Sequence, residues 1–380
     1  MSAAHKDDQV LDLGSEKYSG YHSAILLASV ALTAFAGAAA AEVSFSGDAA
    51  LGYNDTIDTD ATTAGVQAGM YWNADLDVAF SQELDNGITA AANVTLNIAD
   101  DAQGQTGDDI VGDNWKVSLT AANGSLVYGD TEFAAVSAWK SAGDMANDGF
   151  REIGAAGSNL KGSVTLGGAT VAVSYDAAAG ADLGTVDAAV TATVGAASVV
   201  AAYQEGVAGG IDELFGLSVA TSMGGADVTL AYANNNTDDT NSIGVKVAYT
   251  VADVKATAFY VAESDAARED GYGLTLDYTA GALSLQGFYA NVNDLEETRV
   301  QGSYDMGNGL VITAGSIDGD STADDDFANY LVAEYDLGGG AALMASFVDG
   351  QAGGVNSTDI DTFGGYELND GTTIELSFAF

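Results

Sequence analysis

Carboxylates are the reactive side chains that this sequence carries in quantity. Its 380 residues include 55 Asp and Glu, two His and no Cys. Both histidines, His5 and His22, lie near the N-terminus, and the chain contains neither a G-x-S-x-G nucleophile turn nor a G-x-x-x-x-G-K phosphate loop. Acid–base catalysis needs a carboxylate held beside a suitable partner, and abundance alone does not supply one. The sequence therefore predicts a protein that is not an enzyme.

The same carboxylates allow one other kind of chemistry, which is the binding of Ca²⁺. Calcium takes several oxygen ligands, and the runs Asp324-Asp325-Asp326 and Asp100-Asp101 could offer them. Because neither EF-hand spacing nor a repeated glycine-rich calcium nonapeptide is present, solvated loop charge is the favoured interpretation. No cofactor is predicted, and a structural Ca²⁺ ion in the acidic loops stays an open alternative.

The overall charge argues against nucleic acid as a partner. Ten Lys and Arg stand against 55 Asp and Glu, which gives a formal net charge of −45. A surface of this sign adds charge to a phosphate backbone instead of releasing counterions from it. The hydrophobic content of 47% argues against an acidic disordered chain. The sequence therefore predicts a folded protein whose acids are mostly in solvated loops.

The N-terminus contains a segment that is typical of exported proteins. Residues Ala24–Ala41 combine an apolar core with small residues at the end, as in a secretory signal and its cleavage site. Residues 1–23 are atypical for such a signal, because Lys6 and Lys17 are diluted by acids. We predict that residues 1–41 are an atypical leader with a cleaved Sec-type signal peptide. The mature domain then covers residues 42–380.

From Glu42 onward, apolar and polar residues alternate with a period of two, as in the segments 42–53 and 373–380. Side chains of a strand point to opposite faces in turn, so each segment has one apolar and one polar face. Tight turns such as Gly167-Gly168 alternate with longer acidic loops such as 100–113. This alternation is the arrangement of a transmembrane β-barrel. Polar faces rich in Ser, Thr, Asn and Gly suit a wetted lumen better than a soluble β-sandwich.

Four short motifs, in their order along the chain, carry a resemblance to a known family. They are Glu42–Asp48, Gly129-Asp130 before a long insertion, the turn Tyr335–Ala341, and the final aromatic residue Phe380. Over residues 42–380 the chain resembles alphaproteobacterial general porins of the Rhodobacter type. The resemblance implies a channel in the Gram-negative outer membrane. It also implies a homotrimer of 16-stranded barrels with loop three folded into the pore.

The number of strands follows less directly from the sequence than the fold class does. The tight turns number nine or ten, which would imply up to twenty strands, whereas the resembled family has fewer. Some of these turns are candidates for bulges or for short hairpins on the other rim, such as Asn369-Asp370-Gly371. We expect an all-β fold, a closed antiparallel barrel of 16 strands, with 18 as the alternative.

The resemblance places a pore constriction in the stretch 130–159, the longest stretch that does not alternate. An acidic loop facing a basic wall would set a transverse field at the narrowest point of the pore. Scattered charges that only aid solubility are the alternative for each residue. The predicted loop residues are Glu132, Asp144, Asp148, Arg151 and Glu152, and the predicted wall residues are Lys116, Lys161, Lys246 and Arg299.

The expected function is passive diffusion of small hydrophilic solutes and ions, with a preference for cations because of the acidic mouth. The expected partners are two further copies of the chain, outer-membrane lipid and the barrel assembly machinery. The predicted assembly signal is the lipid-facing set Ile374, Leu376, Phe378 and Phe380. A sugar- or ion-selective channel and a secreted calcium-dependent surface β-protein are the alternatives.

Overall fold

The structure is a computed structural model of the chain. It describes residues 41–56, 69–101, 110–152, 158–177, 185–206, 211–320, 325–352, 355–356, 360–361 and 366–380. The predicted leader and signal peptide, residues 1–41, lie outside the described residues except for Ala41. The side chains of the two candidate calcium runs lie outside them as well.

Twenty strands in the described residues form one antiparallel sheet. The first ten are β1 (Glu42–Asn54), β2 (Met70–Glu83), β3 (Thr89–Asp101), β4 (Val111–Ala121), β5 (Gly124–Gly129), β6 (Asn159–Leu166), β7 (Ala169–Asp176), β8 (Val186–Val194), β9 (Ala197–Gln204) and β10 (Leu214–Met223). The next nine are β11 (Ala226–Asn235), β12 (Thr240–Val251), β13 (Val254–Glu263), β14 (Gly271–Ala280), β15 (Leu283–Val292), β16 (Leu295–Asp305), β17 (Leu310–Asp320), β18 (Asp325–Gly338) and β19 (Ala341–Ala352).

Three two-residue strands follow before the last barrel strand. They are β20 (Val355–Asn356), β21 (Ile360–Asp361) and β22 (Glu367–Leu368), and β23 (Gly371–Ala379) then completes the barrel. The helix in the described part of the chain is α1 (Ala134–Ala138). No helix in the described ranges is long and apolar enough to cross a membrane.

The first and last strands close the sheet into a barrel. Leu51 of β1 lies opposite Trp72 of β2 on one side and opposite Leu376 of β23 on the other. Closure pairs the backbone groups that an open edge would leave exposed, as a strand in lipid requires. The all-β, closed antiparallel class is therefore confirmed.

The expected number of 16 strands is wrong, and so is the alternative of 18, because the barrel has twenty. Nine connections of two to five residues join each even-numbered strand from β2 to β18 to the strand that follows it. These connections define the turn rim. Every predicted tight turn is a real hairpin at this rim, except Asn369-Asp370-Gly371. The ninth hairpin, Ala252-Asp253, has no glycine, and Ala252 itself takes a φ of 52°.

The opposite rim, here called the loop rim, carries connections of uneven length. The short ones include 236–239 between β11 and β12 and Asn293-Asp294 between β15 and β16. The stretch 234–241 is thus a four-residue turn flanked by strand residues, because the hydrogen-bonded ladder continues to Asn235↔Thr240. The long insertion between β5 and β6 is the third loop at this rim, and it is called loop three below.

The alternation of side chains separates an outward apolar face from an inward polar face. On β12, Ile243 and Tyr249 are exposed on the outer surface, whereas Ser242 and Gly244 are buried inside the barrel. Apolar residues exposed on every wall segment are expected where the neighbouring medium is lipid. The predicted assembly residues Ile374, Phe378 and Phe380 are exposed on this outer face, and Leu376 between them is half-buried.

An inward tyrosine crosses the seam where the barrel closes. The ring of Tyr71 on β2 lies over Gly52 of β1, where a Cβ atom would approach the ring to 2.1 Å. The Tyr71 hydroxyl donates a hydrogen bond to Glu375 Oε2 of β23 at 2.7 Å. The absence of a side chain at Gly52 therefore lets one residue connect three strands.

Candidate pore constriction

Loop three turns into the barrel at Gly129. This glycine has a φ of 125°, and a Cβ atom there would lie 2.3 Å from the carbonyl oxygen of Trp115. The amide of the next residue, Asp130, donates to that same oxygen at 2.7 Å. Only glycine accommodates both the positive φ and the close approach. The pair Gly129-Asp130 therefore fixes the direction in which the loop leaves β5.

The apolar residues of loop three pack against the inner wall of the barrel. Ala142 and Met145 form one buried cluster with Ala231, Ala233 and Val261 of β11 and β13. A second cluster joins Ala135 and Phe150 of the loop to Ala202 and Leu214 of β9 and β10. Because these wall residues all point inward, the described part of loop three lies inside the lumen.

Trp139 lies between these two clusters in a depression of the wall. A Cβ atom at Gly216 of β10 would lie 2.4 Å from the indole ring. The indole Nε1–H donates to Asp148 Oδ2 at 2.9 Å. The glycine thus provides the space for the ring, and the carboxylate fixes the ring's orientation.

Two polar side chains, Ser242 of β12 and Glu263 of β13, bind the middle of loop three. The Asn147 side chain donates to Ser242 Oγ at 2.9 Å and to Glu263 Oε2 at 3.2 Å. The Ala146 amide donates to Glu263 Oε1 at 3.0 Å, and Ser242 donates to Glu263 Oε2 at 2.6 Å. Hydrogen bonds to a charged acceptor in such a site are stronger than neutral ones. Glu263 therefore holds this part of the loop against the wall.

Arg151 binds the final described part of the loop. Its amide donates to Gln204 Oε1 at 2.7 Å, and its guanidinium donates to Thr185 Oγ1 at 3.0 Å and lies 3.4 Å from Asp176 Oδ2. The guanidinium also lies 5.7 Å from the centre of the Phe133 ring. Here the cation comes from the loop and the carboxylate from the wall, which is the reverse of the expected arrangement.

The predicted acidic residues differ in their surroundings. Asp148 is half-buried, and burial raises its pKa to about 6, with the Glu263 carboxylate acting in the same direction. Asp144 and Glu132 are half-buried, and Glu152 is exposed.

The predicted basic residues do not form one group. Lys161 on β6 lies within electrostatic range of both Glu132 and Lys116 at the root of loop three. Lys246 is on the inward face of β12, two residues from the Gly244 that contacts the loop. Arg299 on β16 forms an ion pair with Glu297 and lies 5.8 Å from the centre of the Phe288 ring. The structure thus brings Glu132, Lys116 and Lys161 together and places Arg299 elsewhere.

The prediction of a basic wall left out an electrostatic feature of opposite sign, which is a part of the barrel wall without basic residues. No Lys or Arg occurs in residues 42–115 or 300–380. These ranges supply β1–β3, β17–β19 and β23, which are neighbours in the closed barrel. This part of the wall is called the acidic sector. By alternation its inward carboxylates include Asp48, Asp75, Asp77, Glu334 and Glu375.

These features together define a class of protein: a closed, lipid-facing β-barrel whose lumen is narrowed by an inward loop and lined by charged side chains. Such an arrangement is a channel. The sequence model of Gram-negative porins matches residues 28–299, and the chain belongs to that family. It is an outer-membrane channel and not an enzyme.

Solved structures of similar proteins include a triple mutant of the Rhodopseudomonas blastica porin, with 15% identity and a TM-score of 0.41. A loop-deletion mutant of OmpT, an outer membrane protein of Vibrio cholerae, has 15% identity and a TM-score of 0.39. Each match covers 90% of this chain and 100% of the other. The comparison with curated proteins found no match.

Proposed function

We propose that the channel conducts small hydrophilic solutes and ions by passive diffusion and that it prefers cations over anions. The observation that carries the preference is the acidic sector, seven adjacent strands without a single Lys or Arg. Lumen-lining carboxylates raise the local concentration of cations and lower that of anions. Salt weakens this effect, because the screening length is about 10 Å at 0.1 M.

The lumen-facing charges outside the acidic sector balance one another more closely. Lys161 lies near both Glu132 and Lys116, Arg151 contacts Asp176, and Arg299 contacts Glu297. A cation entering along the acidic sector meets no such counter-charge on the wall. We therefore assign the larger share of the preference to the acidic sector and the smaller share to Asp144 and Asp148 of loop three.

A channel that selects sugars is the alternative substrate class. Such a channel needs aromatic faces displayed along the lumen. The inward aromatics are instead covered or engaged: Tyr330 is 4% exposed, Phe259 packs against Gly143 of loop three, and the Tyr71 hydroxyl donates to Glu375. Phe288 has a guanidinium on its ring. Packing of this kind favours general diffusion. The secreted surface protein is set aside because the chain belongs to the porin family.

The assembled form follows from the same proposal. We infer that residues 1–41 are removed during Sec-type export, that the assembly machinery recognises the C-terminal strand, and that three copies associate in the membrane. The outward apolar face and the final aromatic strand support this inference. N-terminal sequencing of the outer-membrane form should begin at Glu42 or within a residue or two, and a start at Ser2 would contradict removal of the leader.

The zero-current potential across a planar bilayer under a KCl gradient tests the preference. We expect the parent to prefer cations, and Asp75→Asn with Asp77→Asn to reduce the preference more than Asp144→Asn with Asp148→Asn. Lys161→Gln should increase it, since it removes a positive charge of the lumen. An anion-preferring parent would overturn the proposal. A cation-preferring parent that is indifferent to Asp75 and Asp77 would remove the acidic sector from it.

A further inference from the structure

The last connection at the loop rim has a part that lies inside the barrel. Leu368, just before β23, is 2% exposed and belongs to one buried cluster with Tyr330, Val332 and Val348. Those three residues point inward, because their strand neighbours Leu331 and Phe347 are exposed on the outer face. The described residues 366–370 therefore lie along the inner wall of β18 and β19 and are called the inner segment below.

The tip of the inner segment reaches far into the lumen. The Tyr366 side chain hydrogen-bonds with Glu334 of β18 and Thr313 of β17, and burial raises the pKa of its phenol. Both partners lie near the turn rim, since β17 begins at Leu310 and β18 ends at Gly338. The segment thus extends from the loop rim into the half of the barrel nearest the short turns.

The other end of the segment is fixed where the chain joins β23. The Asp370 carboxylate accepts a hydrogen bond from the Gly350 amide of β19 at 3.0 Å. The Asp370 carbonyl accepts one from Asn54 Nδ2 of β1 at 3.0 Å. Gly371, with a φ of 90°, then turns the chain into the barrel wall. Contacts at both ends and in the middle make this an ordered element of the lumen.

We propose that the inner segment is a second constriction, which limits solute size together with loop three. Loop three covers wall strands from β7 to β14, whereas the inner segment covers β17 to β19. Barrel diameter grows roughly linearly with strand number, so one loop leaves a wider gap in twenty strands than in sixteen. Solutes then pass between the two elements. The proposal requires a conducting channel but not a cation preference.

Placement is tested first, by cross-linking, which does not depend on conductance. The chain contains no Cys, so introduced thiols are the only ones present. Leu368→Cys combined with Val332→Cys should cross-link with mild oxidant or a short bismaleimide in isolated outer membranes. The matched control combines Leu368→Cys with Leu331→Cys, whose side chain is 51% exposed on the outer face. Equal cross-linking of both pairs, or none in the first, would overturn the placement.

Conductance tests the role in permeation. Leu368→Ser removes the apolar contact inside the lumen, and single-channel conductance should rise roughly 1.5-fold or more because conductance follows the narrowest cross-section. Liposome swelling should extend to larger neutral sugars. Tyr366→Phe removes only the hydroxyl and should have a smaller effect. A folded, heat-modifiable Leu368→Ser barrel with the parent's conductance and size limit would overturn the proposal, whatever the ion preference of the parent.

Discussion

Asp148 is a residue whose charge depends on the fold around it. An aspartate in water titrates near pH 3.9, whereas burial raises the pKa of Asp148 to about 6. A raised pKa in an acid means that the neutral form persists to higher pH. Lowering the pH from 7 to 5 therefore removes a negative charge from loop three.

We predict that the cation preference of the parent falls as the pH is lowered from 7 to 5. Asp148→Asn should flatten this dependence, because the amide has no charge to lose and its oxygen can still accept the Trp139 N–H. The measurement is the zero-current potential at fixed KCl gradient over that pH range. Glu152→Gln, at an exposed position of the same loop, is the control and should keep the parent's dependence. An Asp148→Asn channel with the parent's pH dependence would contradict the assignment.

Arg151 gives a second prediction at the residue scale. Arg151→Gln removes the guanidinium that contacts Asp176, which is 4% exposed. Breaking a buried ion pair leaves an uncompensated charge in an environment of low dielectric constant. We expect the free energy of unfolding to fall by on the order of 2 kcal/mol. This is less than for a fully buried pair, because the Arg151 side chain is 27% exposed. Thermal loss of the heat-modifiable barrel measures it.

The double variant Arg151→Gln with Asp176→Asn is the matched control. It removes both charges, so part of the lost thermal stability should return. If the two substitutions simply add, the contact between Arg151 and Asp176 contributes nothing to the fold, and the loop is held by its other hydrogen bonds alone.

At the scale of elements, loop three depends on the space that Gly216 provides. The Trp139 ring is rigid, so a methyl group at Gly216 must move the ring and the loop with it toward the centre of the lumen. We predict that Gly216→Ala lowers single-channel conductance. Gly287→Ala is the matched control, because a Cβ atom at Gly287 has open space around it. Unchanged conductance in a folded Gly216→Ala barrel would show that the wall accommodates the methyl group.

Sequence reasoning found one of the two inward elements and missed the other. Loop three interrupts the alternation over residues 130–159, and Gly129-Asp130 marks its start. The inner segment has no comparable signal, since Leu368 is a single apolar residue in a short polar stretch before β23. The burial of this segment comes from contacts with residues 20 to 53 positions earlier in the chain. Contacts of that kind depend on barrel closure and leave no local pattern.

At the scale of the whole molecule, the turn residues indicated the correct number of strands in the barrel. Counting tight turns implied up to twenty strands, and the resemblance then favoured sixteen. Turn chemistry was the better guide, because each Gly-rich turn with positive φ connects two real strands. The hairpin Ala252-Asp253 shows the limit, since an alanine there takes a φ of 52° that its type does not predict.

The last residue extends the seam that closes the barrel. The Phe380 amide donates to the Gly47 carbonyl, and the Gly47 amide donates to the Phe380 carbonyl, each at 2.9 Å. The Phe380 ring lies beside Gly47, where a Cβ atom would approach it to 3.1 Å. Deleting Phe380 therefore removes a paired step of the seam and an exposed aromatic residue of the outer face.

We predict that deletion of Phe380 lowers the amount of folded barrel in the outer membrane while export to the periplasm continues. Phe380→Tyr keeps the backbone pair and an aromatic ring, so it should insert like the parent, whereas Phe380→Gly keeps only the backbone pair and separates the two contributions. The measurement is the heat-modifiable band in outer-membrane and periplasmic fractions. Equal amounts of heat-modifiable barrel in parent and deletion membranes would contradict the prediction. A Phe380→Gly variant that inserts like the parent would assign the effect to the backbone pair alone.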